Sequence, residues 1–308
     1  MSVTVLGIDT SNYTTSLAVC RDGVIIENIK LPLPVKDGGV GLRQSDAVFA
    51  HTVNLPRAYE RLTTDLSTVS AVGYSDRPRN VEGSYMPCFL CGEASAAAVG
   101  RALKVPVYTS SHQEGHIKAA VYSSKMPDTG RFYAYHLSGG TFELLKVTKN
   151  GASYDCEIKG GTLDVTAGQI IDRVGVMLGL PFPCGRRIDE LAAGFTGKMP
   201  QIKISVNGCS CNLSGVENKA KKLIDGKEPP EFVAAYIIEY IKRTVAAMTD
   251  NALHDENLPV LFSGGVSSNS MLRKYFTEKY GAYFAEPAFS ADNAAGTALI
   301  TYDRFING

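Results

Sequence analysis

The chain has 308 residues, 44% hydrophobic and 20% charged, with 30 Gly and 14 Pro. That composition describes a folded, turn-rich protein and excludes a disordered or coiled chain, and the length favours two domains over one. Lys+Arg and Asp+Glu are both 31, so no net field draws a polyanion in; this argues against an autonomous nucleic-acid binder and leaves room for a local basic patch or a basic partner.

Met1 to Gly7 runs directly into a strand and lacks the features of a signal peptide, and no run of eighteen apolar residues occurs anywhere. Val3 to Ile8 predicts a strand, Asp9 to Thr15 a small polar turn, Ser16 to Cys20 a second strand and, past Gly23, Val24 to Ile29 a third. An Asp closing the first of two strands joined by a hydroxyl-rich turn is how actin-like ATPases cradle a phosphate and its metal; a plain hairpin reads the same way. Lys36 to Ser45, with Gly38-Gly39 and Gly41, is a loop. Ala47 to Leu62 is helical in period, with Pro56 expected to kink or divide it. Val69 to Gly73 reads as a strand, Tyr74 to Met86 as a long polar loop, Cys91 to Leu103 as an Ala-rich helix, and Val105 to Tyr108 as a strand leading into a helix ending near Val121.

From residue 131 the pattern restarts. Phe132 to Leu137, the turn Ser138-Gly139-Gly140-Thr141, Phe142 to Val147, the hairpin signal Asn150-Gly151 and Tyr154 to Ile158 repeat the opening order. This faint duplication suggests two like domains facing a cleft. A helix is expected over Gly161 to Leu178, a loop over Leu180 to Arg187, a short helix over Ile188 to Ala193, a strand over Ile202 to Val206 and a turn at Cys209-Ser210-Cys211. Helices follow over residues 215 to 225 and Glu231 to Ala252, then a strand Pro259 to Phe262, a helix Val266 to Tyr280, a short strand Tyr283 to Phe284 and a closing helix Asp292 to Tyr302. The boundary is placed near 105 to 125: residues 1–110 plus 290–308 form one lobe and 111–289 the other.

Of five histidines, His112 and His116 stand four apart in Ser111-His112-Gln113-Glu114-Gly115-His116. On a helix such residues share a face, so both rings can reach one metal ion, although a pair of helix N-terminal histidines with local hydrogen bonds reads equally well. The arrangement is not His-Glu-x-x-His, because Glu114 precedes the second histidine by two. Asp292-Asn293 before an Ala-rich helix is either a helix cap or the source of the missing carboxylate, and Asp9 would approach the same ion or its water. The turns Ser138 to Thr141 and Ser263-Gly264-Gly265-Val266 follow strands and offer backbone N–H groups to a phosphate, although neither is a Walker loop. Cys88-x-x-Cys91 and Cys209-x-Cys211 have poor spacing for a four-thiolate zinc site, and seven cysteines, an odd number, suggest a reducing cytoplasm. Arg77, Arg79 and Lys36 are loop cations that would form an anion patch or simply be solvated.

Taken together, Val3 to Val19, Gly38-Gly39-Val40, Ser111 to His116, Ser138 to Thr141, Asp164 to Gly185, Ser214-Gly215, Ser263 to Asn269 and Asp292 to Ala295 resemble, in order and nearly end to end, the TsaD/Kae ("glycoprotease") family of tRNA threonylcarbamoyladenosine synthase subunits. The resemblance implies an α/β, duplicated, two-lobed actin-like ATPase fold (actin, sugar kinase, heat-shock protein; ribonuclease H-like). It implies one divalent metal, iron or zinc, on His112, His116 and Asp292, with Asp9 close by. An adenine nucleotide or acyl-adenylate would contact Ser138, Gly139, Gly140, Asp172, Gly185, Asp189, Gly264 and Asn269. The implied activity is transfer of a threonylcarbamoyl group to N6 of adenosine 37 in tRNA. The implied partners are a smaller paralogous subunit, an ATPase subunit and tRNA, with a homodimer as a further arrangement and no membrane. Departures from the family pattern, namely an opening turn Ser11-Asn12-Tyr13-Thr14-Thr15 without an acid, Asp164-Val165, Gly168-Gln169, Arg173, Asp76 to Asn80 and Pro183 to Arg186, imply a divergent paralogue, a related carbamoyl transfer, or a non-catalytic nucleotide-binding or regulatory subunit.

Overall fold

A computed structural model describes residues 2–11, 13–34, 42–291 and 293–308. Lys36, the Gly38-Gly39-Val40 stretch and Asp292 therefore lie outside the described residues. The chain divides into two compact units, the first made of Met1–Ser123, Lys149–Asp155 and Ala288–Gly308, the second of Ser124–Thr148 and Cys156–Pro287. The helix bearing the two histidines falls in the first.

The first unit opens with β1 (Thr4–Asp9), β2 (Thr14–Arg21) and β3 (Val24–Pro32). Asp22 and Gly23 both take positive φ, which is the twist a two-residue hairpin needs. Helix α1 (Gln44–Tyr59), β4 (Val69–Arg77), α2 (Phe89–Leu103), β5 (Val107–Ser111) and α3 (His112–Ser124) follow. The sheet order is β3-β2-β1-β4-β5, with β1 antiparallel to β2 and parallel to β4. Alternation along β1 sends Leu6 and Ile8 into a cluster with Leu17, Val19, Leu55, Val72 and Ala96, while Val5 faces Ala18, Ala71 and Ala298. Both faces of β1 are covered, so the whole strand is buried.

Two expectations change here. Pro56 does not divide α1, which runs unbroken through Tyr59. The polar residues Tyr74 to Arg77, expected in a loop, continue β4 because β5 pairs with it as far as Arg77, with β1 on the other side as far as Tyr74.

The second unit contains β6 (Arg131–Leu137), most of β7 (Phe142–Asn150) and of β8 (Ser153–Gly161), α4 (Ala167–Met177), α5 (Gly185–Gly194), β9 (Ser205–Asn207), β10 (Ser210–Asn212), α6 (Ser214–Asp225), α7 (Pro230–Asp255), β11 (Val260–Ser263), α8 (Ser270–Tyr280) and β12 (Tyr283–Phe284), while α9 (Pro287–Ser290) lies in the first apart from Pro287. Its main sheet runs β12-β11-β6-β7-β8, which read backwards is the strand order of the first sheet. Helix α4 starts at Ala167, later than the sequence suggests. Thr166 caps it through a capping box with Gln169, while residues up to Gly161 remain in β8. The Cys209–Cys211 segment is part of a small hairpin, β9–β10, turned at Gly208 with φ 56°. Asp164 receives the N–H groups of Leu213 (2.8 Å) and Ser214 (3.0 Å), tying the end of that hairpin to the approach to α4.

The chain ends in α10 (Ala295–Asn307), which returns to the first unit. Its Ala- and Gly-rich face is dictated by what it meets. A Cβ on Gly7 would stand 2.6 Å from the Ala298 nitrogen, and one on Gly73 would stand 1.7 Å from Thr301 Oγ1.

Candidate metal centre and anion cradle

In the first unit, α3 begins where β5 ends, and Ser111 and Glu114 close a reciprocal cap. Ser111 N–H donates to Glu114 Oε2 at 2.8 Å, and Glu114 N–H donates to Ser111 Oγ at 3.2 Å. Glu114 is therefore a buried capping group, and it is not placed to serve as a general base. The Ser-x-x-Glu spacing was visible in the sequence.

One turn of helix separates His112 from His116, and their ring centroids lie 4.3 Å apart, edge to face. Asp9 Oδ2 lies 2.7 Å from His112 Nδ1. A carboxylate accepts, so Nδ1 donates to it, and in the neutral ring that leaves the lone pair on Nε2, the tautomer that ligates a metal. The other Asp9 oxygen accepts from Ser11 N–H and from Ser75 Oγ, both at 2.8 Å. Asp9 is only 2% exposed. Its bonds make it the group that orients His112.

Asp292, the expected third ligand, lies outside the described residues. Among the described residues no group of three or more His, Cys, Asp or Glu is gathered to hold a metal. Its neighbour Asn293 accepts from Ala295 N–H at 3.0 Å and donates to the Ala291 carbonyl at 2.6 Å, fixing the entry to α10. Gly296, in the first turn of α10, meets the Gly115 backbone so closely that a Cβ would stand 1.8 Å from its carbonyl oxygen. That contact sets the start of α10 against the segment between the two histidines. Two buried hydroxyls here, Ser11 Oγ and Thr297 Oγ1, have no hydrogen-bond partner. Two imidazoles on one helical face, one of them oriented by a carboxylate, fit a zinc or iron ion.

In the same unit His51 is fully buried, with Nδ1 2.8 Å from Thr15 Oγ1. Burial pushes it down to about 4. Half-buried Asp76 is shifted upward, chiefly by desolvation and against the pull of Arg77. Cys88 and Cys91 lie in this unit and form no disulfide, whereas Cys209 and Cys211 belong to the other. Burial pushes the Cys91 and Cys209 thiols up and the Cys211 thiol up to about 12, which does not suit these three for thiolate chemistry.

In the second unit the two glycine turns meet. Gly264 takes φ 89°, and a Cβ on it would stand 2.3 Å from the Leu137 carbonyl oxygen. Gly168 of α4 packs equally tightly on Gly139, and Thr166 Oγ1 donates to the Gly139 carbonyl at 2.8 Å. Gly139, Gly140 and Gly265 are exposed, with open space where a Cβ would be. Backbone N–H groups at such a turn can accept the close approach of an anion.

The other expected nucleotide residues pair up. Asp172 accepts from Cys184 N–H at 2.8 Å, just before Gly185 opens α5, and desolvation raises its carboxyl. Asp189 accepts from Asn269 Nδ2 and Ser270 Oγ, both at 2.8 Å, clasping α5 to the start of α8. Much of Asp189 is thus committed to structure, whereas Asn269 also caps α8 through Leu272 N–H. His136, which the sequence did not single out, lies 3.3 Å from Ser263 Oγ at the mouth of both turns.

A family model described as TsaD, tRNA N6-adenosine threonylcarbamoyltransferase, matches residues 36–299. The tRNA N6-adenosine threonylcarbamoyltransferase of Phocaeicola vulgatus is 29% identical over 340 residues, covering 100% of this chain and 95% of that one. The protein of the same name from Carboxydothermus hydrogenoformans is 28% identical, covering 100% and 94%. Among solved structures, component A of the Acidaminococcus fermentans (R)-2-hydroxyglutaryl-CoA dehydratase superposes with TM-score 0.58 at 16% identity over 98% of both chains. The ROK hexokinase of Thermus thermophilus superposes with TM-score 0.53 at 15% identity over 100% of both. These likenesses establish the actin-like α/β fold. Among the described residues no helix is long and apolar enough to cross a membrane.

Proposed function

The chain belongs to the TsaD family of tRNA N6-adenosine threonylcarbamoyltransferases, and from that membership we propose that it transfers a threonylcarbamoyl group from its adenylate to N6 of adenosine 37 in tRNA, or carries out a closely related carbamoyl transfer. The observation that carries the reading is the Asp9–His112 bond beside His116, because it pre-orients an imidazole as a metal ligand. In this reading His112, His116 and Asp292 hold one divalent ion, iron or zinc. Such an ion supplies Lewis-acid polarisation of the donor's carbonyl oxygen and anchors the donor.

The chain's own groups do the rest. The glycine turns at 138–141 and 264–265 hold the phosphate of the adenylate, with Asp172, Gly185, Asp189 and Asn269 around the nucleoside. Asp9 keeps the His112 ring in one tautomer and one orientation. In this reading the fold is a duplicated, two-lobed one, with the boundary drawn after the histidine helix, at the end of Met1–Ser123, and not at residue 110 as expected from the sequence. A smaller paralogous subunit and an ATPase subunit are the partners this reading calls for, in the cytoplasm.

A second reading is favoured by the opening turn, where Tyr13, Thr14 and Thr15 supply no acid and Tyr13 is 46% exposed. In it the chain is a nucleotide-binding subunit that supports or regulates a complex without turning over. The experiment is to purify the protein, measure bound metal and nucleotide, and assay transfer from threonylcarbamoyl-adenylate to unmodified tRNA, for the parent and His112→Ala. Loss of both metal and transfer in the variant supports the first reading. Bound metal with untouched tRNA removes the acceptor, and a metal-free parent indifferent to His112→Ala leaves the second.

A further inference from the structure

In the first unit β1, β4 and β5 run parallel and end at one level. β1 pairs with β4 as far as Ile8 and Tyr74, so the next residue of each is Asp9 and Ser75. β4 pairs with β5 at Ser75 and Ser110, two residues before His112 opens α3. Asp9, Ser75 and Ser110 therefore stand abreast at the C-terminal ends of parallel strands, where α/β sheets hold their ligands. The register of β4 against β5 shifts immediately after Ser75, between it and Arg77. A shift of this kind bends a strand and re-aims a side chain.

Ser75 is fully buried, and it donates its one hydroxyl proton to Asp9 Oδ1 at 2.8 Å. The same oxygen accepts from Ser11 N–H at 2.8 Å, while Oδ2 faces His112 Nδ1 at 2.7 Å. The two contacts to Oδ1 differ in origin. Ser11 lies in the turn that Asp9 itself begins and moves with it. Ser75 belongs to the next strand, braced on its far side by β5, the strand that delivers His112. The terminal torsion of a carboxylate is broad and two-fold, so a bond from outside the turn is what pins its plane. With Oδ1 held, Oδ2 stays turned to the imidazole.

We propose that Ser75 is a positioning residue of the metal centre: through Asp9 it fixes the tautomer and direction of His112, and so sets the affinity of the chain for the ion. This rests on the metal reading above and carries the support of the ligand one residue past Asp9. Groups behind a ligating histidine change metal affinity by about tenfold to a hundredfold, and Ser75, one bond further out, belongs at about tenfold.

The test is the zinc affinity of the full chain, by dialysis against a competing chelator, for the parent, Ser75→Ala, Asp9→Asn, the double variant and Ser110→Ala. Ser110 is the control, a buried serine on the next strand whose hydroxyl has no hydrogen-bond partner among the described residues. Proton–nitrogen correlation spectra of the metal-free, histidine-labelled chain report the His112 tautomer. The expected result is about a tenfold loss in Ser75→Ala, no further loss when the same change is made in Asp9→Asn, and parent affinity in Ser110→Ala. In the metal-free parent His112 carries its proton on Nδ1, and in Ser75→Ala part of that population moves to Nε2. A merely structural role lowers affinity by the same factor in both backgrounds and leaves the tautomer alone, and that result overturns the proposal. So does a Ser75→Ala chain with the parent's affinity and tautomer, which leaves the metal reading standing. A parent that takes up no zinc removes the metal reading and the proposal together.

Discussion

Consider Gly296→Ala. The added methyl would lie 1.8 Å from the Gly115 carbonyl oxygen, 2.5 Å from its carbon and 2.8 Å from its Cα. Carbon–oxygen contacts between backbones close to about 3.3 Å, so roughly 1.5 Å must be found. Every atom met is backbone, and none can swing aside. Nor can α10 retreat, because its other face already rests on Gly7 and Gly73, where the space for a Cβ is filled by Ala298 and Thr301. Overpacking costs about 1–3 kcal/mol, and a helix blocked on both sides belongs at about 3 kcal/mol. For a unit of this size that lowers the melting temperature by about 6–12 °C. Scanning calorimetry of parent and variant measures it, with Gly130→Ala as control, since a Cβ there meets nothing within 4 Å. Equilibrium dialysis against Zn²⁺ adds a second readout, because Gly115 lies between His112 and His116 and any helix shift moves both rings. A Gly296→Ala protein that melts with the parent and takes up zinc equally would refute the reasoning.

Three further outcomes are expected. Asp9→Asn leaves the fold intact but offers His112 Nδ1 an amide, so zinc affinity falls by about tenfold to a hundredfold; equal uptake by dialysis would show that Asp9 does not orient the ligand. Gly264→Ala forces a side chain into φ 89° and onto the Leu137 carbonyl, so ADP binding is lost and stability drops by about 2 kcal/mol; a variant titrating like the parent would separate that turn from the ligand. His51 carries a folded value of about 4 against 6.5 when free, so the unfolded chain binds the extra proton between those limits. Its contribution is complete above pH 6.5 and is lost as pH falls toward 4, by about 3 kcal/mol. Urea unfolding across that window should show the parent falling more steeply than His51→Gln, and parallel profiles would sink the assignment.

Much of the candidate site's local geometry could be read before any coordinates. His112 and His116 announce themselves because a helical period of 3.6 leaves residues four apart on one face. The glycine turns are equally legible, since Gly139, Gly140 and Gly264 follow apolar runs. What Asp9 does was not legible, because its partner His112 is 103 residues away and the choice between ligand and orienting group is made by a 2.7 Å distance. The contact between His136 and Ser263 escaped for a similar reason: the two are in register only through a parallel pairing of distant strands. The expected loop at Tyr74 to Arg77 failed because local polarity was outweighed by pairing with β5, which runs alongside to Arg77.

The way the first unit is put together also sets a clock. Its stretches come from far apart in the chain, and Gly296 is synthesised about 180 residues after His116. At roughly 5–20 residues per second that is a delay of about 10–40 s. During it the face of the sheet that carries Val5, Ala18 and Ala71 lacks its covering helix, and the histidine helix lacks the backbone that later rests on Gly115. The second unit, built mostly from residues 156–287, can close in the meantime. The candidate metal centre is thus among the last parts of the nascent protein to mature, and an ion arriving early would meet two histidines without the helix that rests on the segment between them.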